Sequence, residues 1–182
     1  MPNLLRLAAL AAAALAAPAC AQEMASHIYA GAGVGRSHWD PGCPGADCSN
    51  TATMLRAFGG YQFNGTFAAE AAFTNFGIIE NETSRMKAHA WEAAGIAAWP
   101  PDTAFFLYGK LGMYYAKIEG SGALAGHKET SNGATAGGGA AYQLTRNIDL
   151  RGEVQHYWNV GGGTLPKSGI NTFTAGALWR FR

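Results

Sequence analysis

The sequence predicts an all-β fold: an eight-stranded, antiparallel, up-and-down transmembrane β-barrel. Three observations predict it. First, residues 172–182 read Thr-Phe-Thr-Ala-Gly-Ala-Leu-Trp-Arg-Phe-Arg, with Phe173, Ala175, Ala177, Trp179 and Phe181 on one parity and mostly small or polar side chains on the other. That is a period-two strand whose apolar face carries aromatics where a bilayer meets water. An apolar edge of this kind invites aggregation unless lipid and a neighbouring strand cover it, as barrel closure does. Second, alternating segments recur along the chain, and their connections alternate between short and long. Tight periplasmic turns and longer outer loops produce that asymmetry. Third, no apolar run beyond residue 21 approaches the roughly 20 residues of a membrane helix.

Residues 1–21 read as a signal peptide. Arg6 supplies the positive charge, residues 7–17 an alanine- and leucine-rich core, and Ala19-Cys20-Ala21 the small-x-small cleavage pattern, with cleavage after Ala21. Lipidation at Cys20 is the alternative, although Ala17-Pro18-Ala19 lacks the usual leucine. Residues 22–182 then form one domain of about 160 residues. Without Arg6 the chain carries 12 basic and 12 acidic side chains. That balance leaves no footprint for nucleic acid or for an anionic membrane surface. The 25 glycines suit tightly curved strands with small lumen-facing side chains.

The first strand covers residues 28–37, with Ile28, Ala30, Ala32 and Val34 on one face and Tyr29 and glycines on the other. Asp40-Pro-Gly-Cys-Pro-Gly-Ala-Asp-Cys-Ser-Asn50 follows, built from turn formers. In an oxidising compartment Cys43 and Cys48 are expected to form a disulfide, stabilising by about 2 kcal/mol on the chain-entropy model. A metal site would need further ligands, such as a nearby histidine pair. The second strand is 53–63 and the third 67–76, joined at Asn64-Gly65, a tight-turn signal. A polar loop at 80–85 leads to the fourth strand, 86–99. Its alanines would also suit a helix. Against that, Trp91 and Trp99 share a parity eight residues apart, about 26 Å along a strand, near the span of a barrel's apolar band. Pro100-Pro101-Asp102 makes a short turn. The fifth strand is 104–117, the polar loop 119–131, and the sixth strand 134–144. A short turn at 145–147, a seventh strand at 148–158 and a glycine-rich loop at 161–168 precede the terminal strand.

Phe58-Gly-Gly-Tyr-Gln-Phe-Asn64, with Glu70 in the next strand, resembles the second strand of the OmpA transmembrane domain. Residues 148–157, with Arg151, Glu153 and Gln155 alternating, resemble its seventh strand, and Ile28-Tyr-Ala-Gly-Ala-Gly-Val-Gly35 its first. The resemblance spans 28–182. It implies an OmpA-like barrel, closer in extent to small stand-alone barrels of the OmpX or OmpW type. The family usually ends on phenylalanine, which the outer-membrane assembly machinery is thought to read; here the order is Phe181-Arg182. Retention of Phe181 on the lipid face implies that the machinery still recognises the strand.

Parity places Arg56, Glu70, Glu92, Lys110, Arg151 and Glu153 in the lumen, three bases and three acids. An eight-stranded barrel is just wide enough for side chains to fill, so such charges must pair. The expected arrangement is a salt-bridge plug; the alternative is a narrow pore in which pairs exchange. Tyr61, Trp91, Trp99, Trp158, Trp179 and Phe181 form the expected aromatic girdle. The histidines are His27, His38, His89, His127 and His156. His156 falls on the lipid parity beside Trp158 with no adjacent serine, so an interfacial role is expected rather than catalysis. No phosphate loop, zinc spacing or nucleophile elbow is present, and no cofactor or metal site is expected. The expected function is a structural or surface-interacting outer-membrane protein, with outer-membrane lipid and the assembly machinery as partners. A narrow channel is the runner-up and a lipid-modifying enzyme the third reading.

Overall fold

The computed structural model describes residues 26–40, 50–81, 84–101, 103–122, 128–161 and 168–181. They form eight strands: β1 (His27–Asp40), β2 (Thr51–Gln62), β3 (Phe67–Asn81), β4 (Ser84–Trp99), β5 (Phe105–Gly122), β6 (Lys128–Gln143), β7 (Ile148–Val160) and β8 (Ser168–Phe181). Each pairs antiparallel with the next, and β8 returns to β1, so the sheet closes. The closing seam runs from Ile28 opposite Phe181 to Asp40 opposite Gly169. The barrel is the fold expected from the alternation, and the alanine-rich segment is the strand β4, not a helix. The signal segment 1–21, Cys43, Cys48 and His127 lie outside the described residues.

Alternation sorts the side chains. Outward positions are apolar and bare: Leu111 and Met113 are each 69 % exposed. Exposure on that scale over a whole belt is stable only against lipid. Inward positions are buried, and the lumen they fill has three layers. Tyr29, Phe58, Ile96 and Leu178 lie towards the short turns. A charged layer follows. Trp39, Phe76, Tyr114, Tyr157 and Ile170 fill the end with the long connections. Short connections mark the periplasmic end, so the aromatic layer lies at the outer end.

Three local features extend the sequence reading. The strands run further outward than expected: β3 reaches Asn81, β4 begins at Ser84, β5 reaches Gly122, β6 begins at Lys128 and β8 at Ser168. In those stretches the apolar alternation of the sequence stops while the backbone ladder continues. The Asn64-Gly65 turn is held by the Asn64 side chain, whose Oδ1 accepts from the amides of Thr66 (2.9 Å) and Phe67 (2.8 Å). The described glycines with a left-handed φ are Gly77 and Gly161. Finally, β3 shifts register between Asn75 and Ile78, and β7 between Tyr157 and Val160. The second bulge lets Tyr157 and Val160 both face the lumen although their spacing is odd.

Candidate functional site

The charged layer is built from β2, β3, β4, β5 and β7. Arg56, Glu70, Glu92, Lys110, Arg151 and Glu153 all face inward and are buried, with none more than 9 % exposed. Burying six charges is costly unless each is paired and its remaining donors and acceptors are satisfied. The layer meets that condition. Arg56 pairs with Glu92, lies 3.4 Å from Glu70 and 3.5 Å from Glu153, and donates to Gln155 Oε1 at 2.8 Å. Lys110 Nζ lies 2.5 Å from Glu92, 3.0 Å from Glu70 and 3.5 Å from Glu153. Arg151 reaches Glu70 and Glu153 at 2.5 Å each through its two terminal nitrogens. Arg56 and Lys110 thus see all three glutamates, and the six formal charges cancel.

Hydroxyls and an amide complete the layer, and sequence reasoning named none of them as site residues. Tyr157 donates to Glu92 at 2.6 Å, Tyr108 to Glu153 at 2.9 Å and Tyr29 to Glu70 at 3.2 Å. Gln155 bridges Glu92 at 3.0 Å and Thr135 at 2.7 Å. The Arg151 guanidinium lies over the rings of Tyr108 (4.4 Å) and Phe58 (4.8 Å), a cation–π arrangement. Their signal was present: Tyr108 lies two residues from Lys110, and Gln155 and Tyr157 continue the Arg151–Glu153 parity. Two glycines make the room. A Cβ at Gly139 would stand 2.5 Å from the Tyr108 hydroxyl, and one at Gly60 would run into the Tyr29 ring.

Below this layer, Arg180 pairs with Asp149, a pair not expected from the sequence. A small cavity of about 50 Å³ separates it from Arg151 and Tyr108. Above the charged layer, rings cross the lumen edge to face: Trp39–Phe76 at 6.3 Å, Phe76–Tyr157 at 5.0 Å and Tyr114–Tyr157 at 5.4 Å. Tyr157 belongs to both layers, through its ring and its hydroxyl.

The six girdle residues all face outward and are exposed. The pairings Ile28–Tyr61, Ile28–Phe181 and Ile148–Trp179 put Tyr61, Phe181 and Trp179 at the periplasmic rim, and Trp99 ends β4 there. Trp91 lies eight residues outward of Trp99 on β4, opposite Phe73 and Tyr115, and Trp158 lies near the outer end of β7. His156 faces outward, its Nδ1 2.7 Å from Asn171 Oδ1 and its ring edge-on to Trp158 at 4.7 Å. His38 reaches Thr51 Oγ1 at 3.3 Å, His89 lies beside Phe73, and His27 is buried at the periplasmic mouth. Among the described residues, no group of three His, Cys, Asp or Glu side chains could hold a metal.

Known proteins share this architecture. The family described as outer membrane protein beta-barrel domain matches residues 7–181. Ail, the attachment invasion locus protein of Yersinia pestis, is similar with a TM-score of 0.57 and 18% identity, over 86% of this chain and 97% of that one. Neisserial surface protein A gives a TM-score of 0.58 at 17% identity, over 86% of this chain and 97% of that one. OprG from Pseudomonas aeruginosa gives 0.58 at 14% identity, over 89% of this chain and 98% of that one. At these identities the likeness shows the fold. Comparison with curated protein sequences gives no match. With a closed eight-stranded barrel, a lipid-compatible outer face and a family match over nearly the whole chain, the protein belongs to the outer membrane protein beta-barrel domain family and resides in the outer membrane.

Proposed function

We propose that this protein is a closed, non-conducting outer-membrane barrel whose role lies in what it presents at the membrane surface. One observation carries the reading: the lumen is filled across its width by a neutral ion-pair layer, topped by edge-to-face rings. A pore would need water-filled width there, and an eight-stranded barrel has little to spare. The names of two fold relatives, an attachment invasion locus protein and a surface protein, agree with a surface role. Export is assigned to residues 1–21 as a signal peptide. Cys43 and Cys48 are assigned a disulfide in the first outer connection. The apolar face of β8, from Phe173 to Phe181, is the surface offered to the assembly machinery. No enzymatic role is assigned to His156, whose ring faces the outer rim between Asn171 and Trp158.

A narrow, gated channel is the second reading. It rests on the redundancy of Arg56 and Lys110, each within reach of three acids, so that pairs could exchange without leaving a bare charge. Planar-bilayer recording separates the two. The closed reading expects no unitary conductance from the folded protein; steady, voltage-independent steps would replace it with the channel.

A further inference from the structure

The outer face of the barrel is not uniform near its outer rim. Across β6, β7, β8 and β1, Gly138, Val154, Phe173 and Arg36 lie in one row of the register. Ala136, His156, Asn171 and His38 form the row above. The small residues of β6 leave a groove of about 640 Å³ lined by both rows. Its floor is apolar, from Val154 and Phe173, and its flank carries Arg36, His38 and His156. Arg36 stands eight residues beyond Ile28 on β1, about 26 Å along a tilted strand, which brings it to the outer edge of the apolar band.

The polar groups are positioned. His156 is held by Asn171 and Trp158, which leaves its Nε2 as the ring atom available to a ligand. Gly169 makes room for that ring: a Cβ there would stand 3.1 Å from Cε1. Arg36 has no ion pair among the described residues. The nearest carboxylate on this face by register, Asp40, lies beyond His38, opposite Gly169. On the other side of the barrel Lys87 lies opposite Glu119 in the β4–β5 ladder, with Lys117 two residues from Glu119.

We propose that this groove seats one phosphate-bearing anionic lipid of the outer leaflet. An acyl chain lies over Val154 and Phe173. The phosphate meets the Arg36 guanidinium, whose planar fork matches phosphate oxygens and whose stem lets it reach above the apolar floor. His156 and His38 flank the phosphate from the row above. Apolar side chains below, with the Arg36 head reaching up towards the polar row of His156, Asn171 and His38, match the order of tail and headgroup in the leaflet. The site is independent of whether the lumen conducts.

Native mass spectrometry tests this on the full barrel in a mild nonionic detergent, supplied with equal amounts of diphosphoryl lipid A and phosphatidylcholine. One retained lipid A per barrel is expected, in preference to phosphatidylcholine. Arg36→Ala combined with His156→Ala should reduce the adduct at least about tenfold, as expected for losing charge-assisted hydrogen bonds. Ala136→Phe fills the groove with the charges intact and should reduce it as well. Lys117→Ala, on β5, should leave it unchanged. Heat-dependent gel mobility confirms folding of each variant. Equal retention of both lipids, an adduct indifferent to Arg36 and His156, an equal loss with Lys117→Ala, or a dimer mass in place of the lipid adduct would each overturn the proposal.

Discussion

Glu70 shows how the lumen is held. It accepts from Lys110 at 3.0 Å, Arg151 at 2.5 Å and Tyr29 at 3.2 Å, on strands far from its own in sequence. Glu70→Gln keeps the shape and removes the charge, leaving the three buried bases Arg56, Lys110 and Arg151 with two acids. Breaking a buried pair typically costs about 3–5 kcal/mol. Water entering from the small cavity beneath Arg151 should hold the loss to the low end of that range. The temperature at which heat-dependent gel mobility is lost should fall; an unchanged midpoint would show that Glu70 does not hold these bases. The Arg56–Glu92 pair makes a sharper test. Arg56→Met and Glu92→Met should each destabilise by a few kcal/mol, and the double variant by clearly less than their sum, because no lone charge remains from that pair. Strict additivity in urea unfolding would count against the network.

At the scale of the strand, β5 and β6 meet through bulk on one and its absence on the other. Tyr108 lies against Gly139, and the Cβ of any other residue at 139 would meet its hydroxyl. Gly139→Val should therefore displace Tyr108 from both Arg151 and Glu153 and lower the folded fraction. Gly95→Ala is the control, because a Cβ at this outward glycine meets nothing within 4 Å. A Cβ at 139 would also run into the Gly152 carbonyl oxygen, so if the two substitutions behaved alike in a folding titration into lipid vesicles, neither room for Tyr108 nor close approach to β7 would be why residue 139 is glycine. Strand ends are where local pattern faded. Lys128 to Gly133 pair with β5, and Gly169 to Asn171 with β1, where no apolar alternation marks the sequence.

For the whole molecule, the ring layer and the charged layer seal in series. Replacing Phe76 and Tyr157 together by alanine removes two rings of the stopper and the hydroxyl on Glu92. A small, cation- or anion-selective leak should then appear in planar bilayers where the parent protein shows none. Continued silence would place the barrier in the ion-pair layer alone. The predicted Cys43–Cys48 disulfide closes a connection outside the described strands, so reducing it should lower the unfolding free energy by no more than about 2 kcal/mol and leave the barrel folded. Thiol counting on unreduced protein checks the bond itself; two free thiols would remove it.

The sequence by itself determined the barrel, the strand order, the facing of each described strand and the six inward charges. These follow from a period of two, which a side chain cannot escape once its strand is paired, and from the contrast between lipid and lumen. Tertiary structure alone decided which charges meet. Arg56 reaches Gln155, 99 positions away, and Arg151 reaches Glu70, 81 positions away, because closure brings opposite walls within one side chain's length. It also decided that Tyr29, Tyr108 and Tyr157 complete the network, that Asp149 and Arg180 form a second pair, and that a bulge turns Val160 inward. Each depends on register and on distance across the lumen, quantities that arise only when the sheet closes.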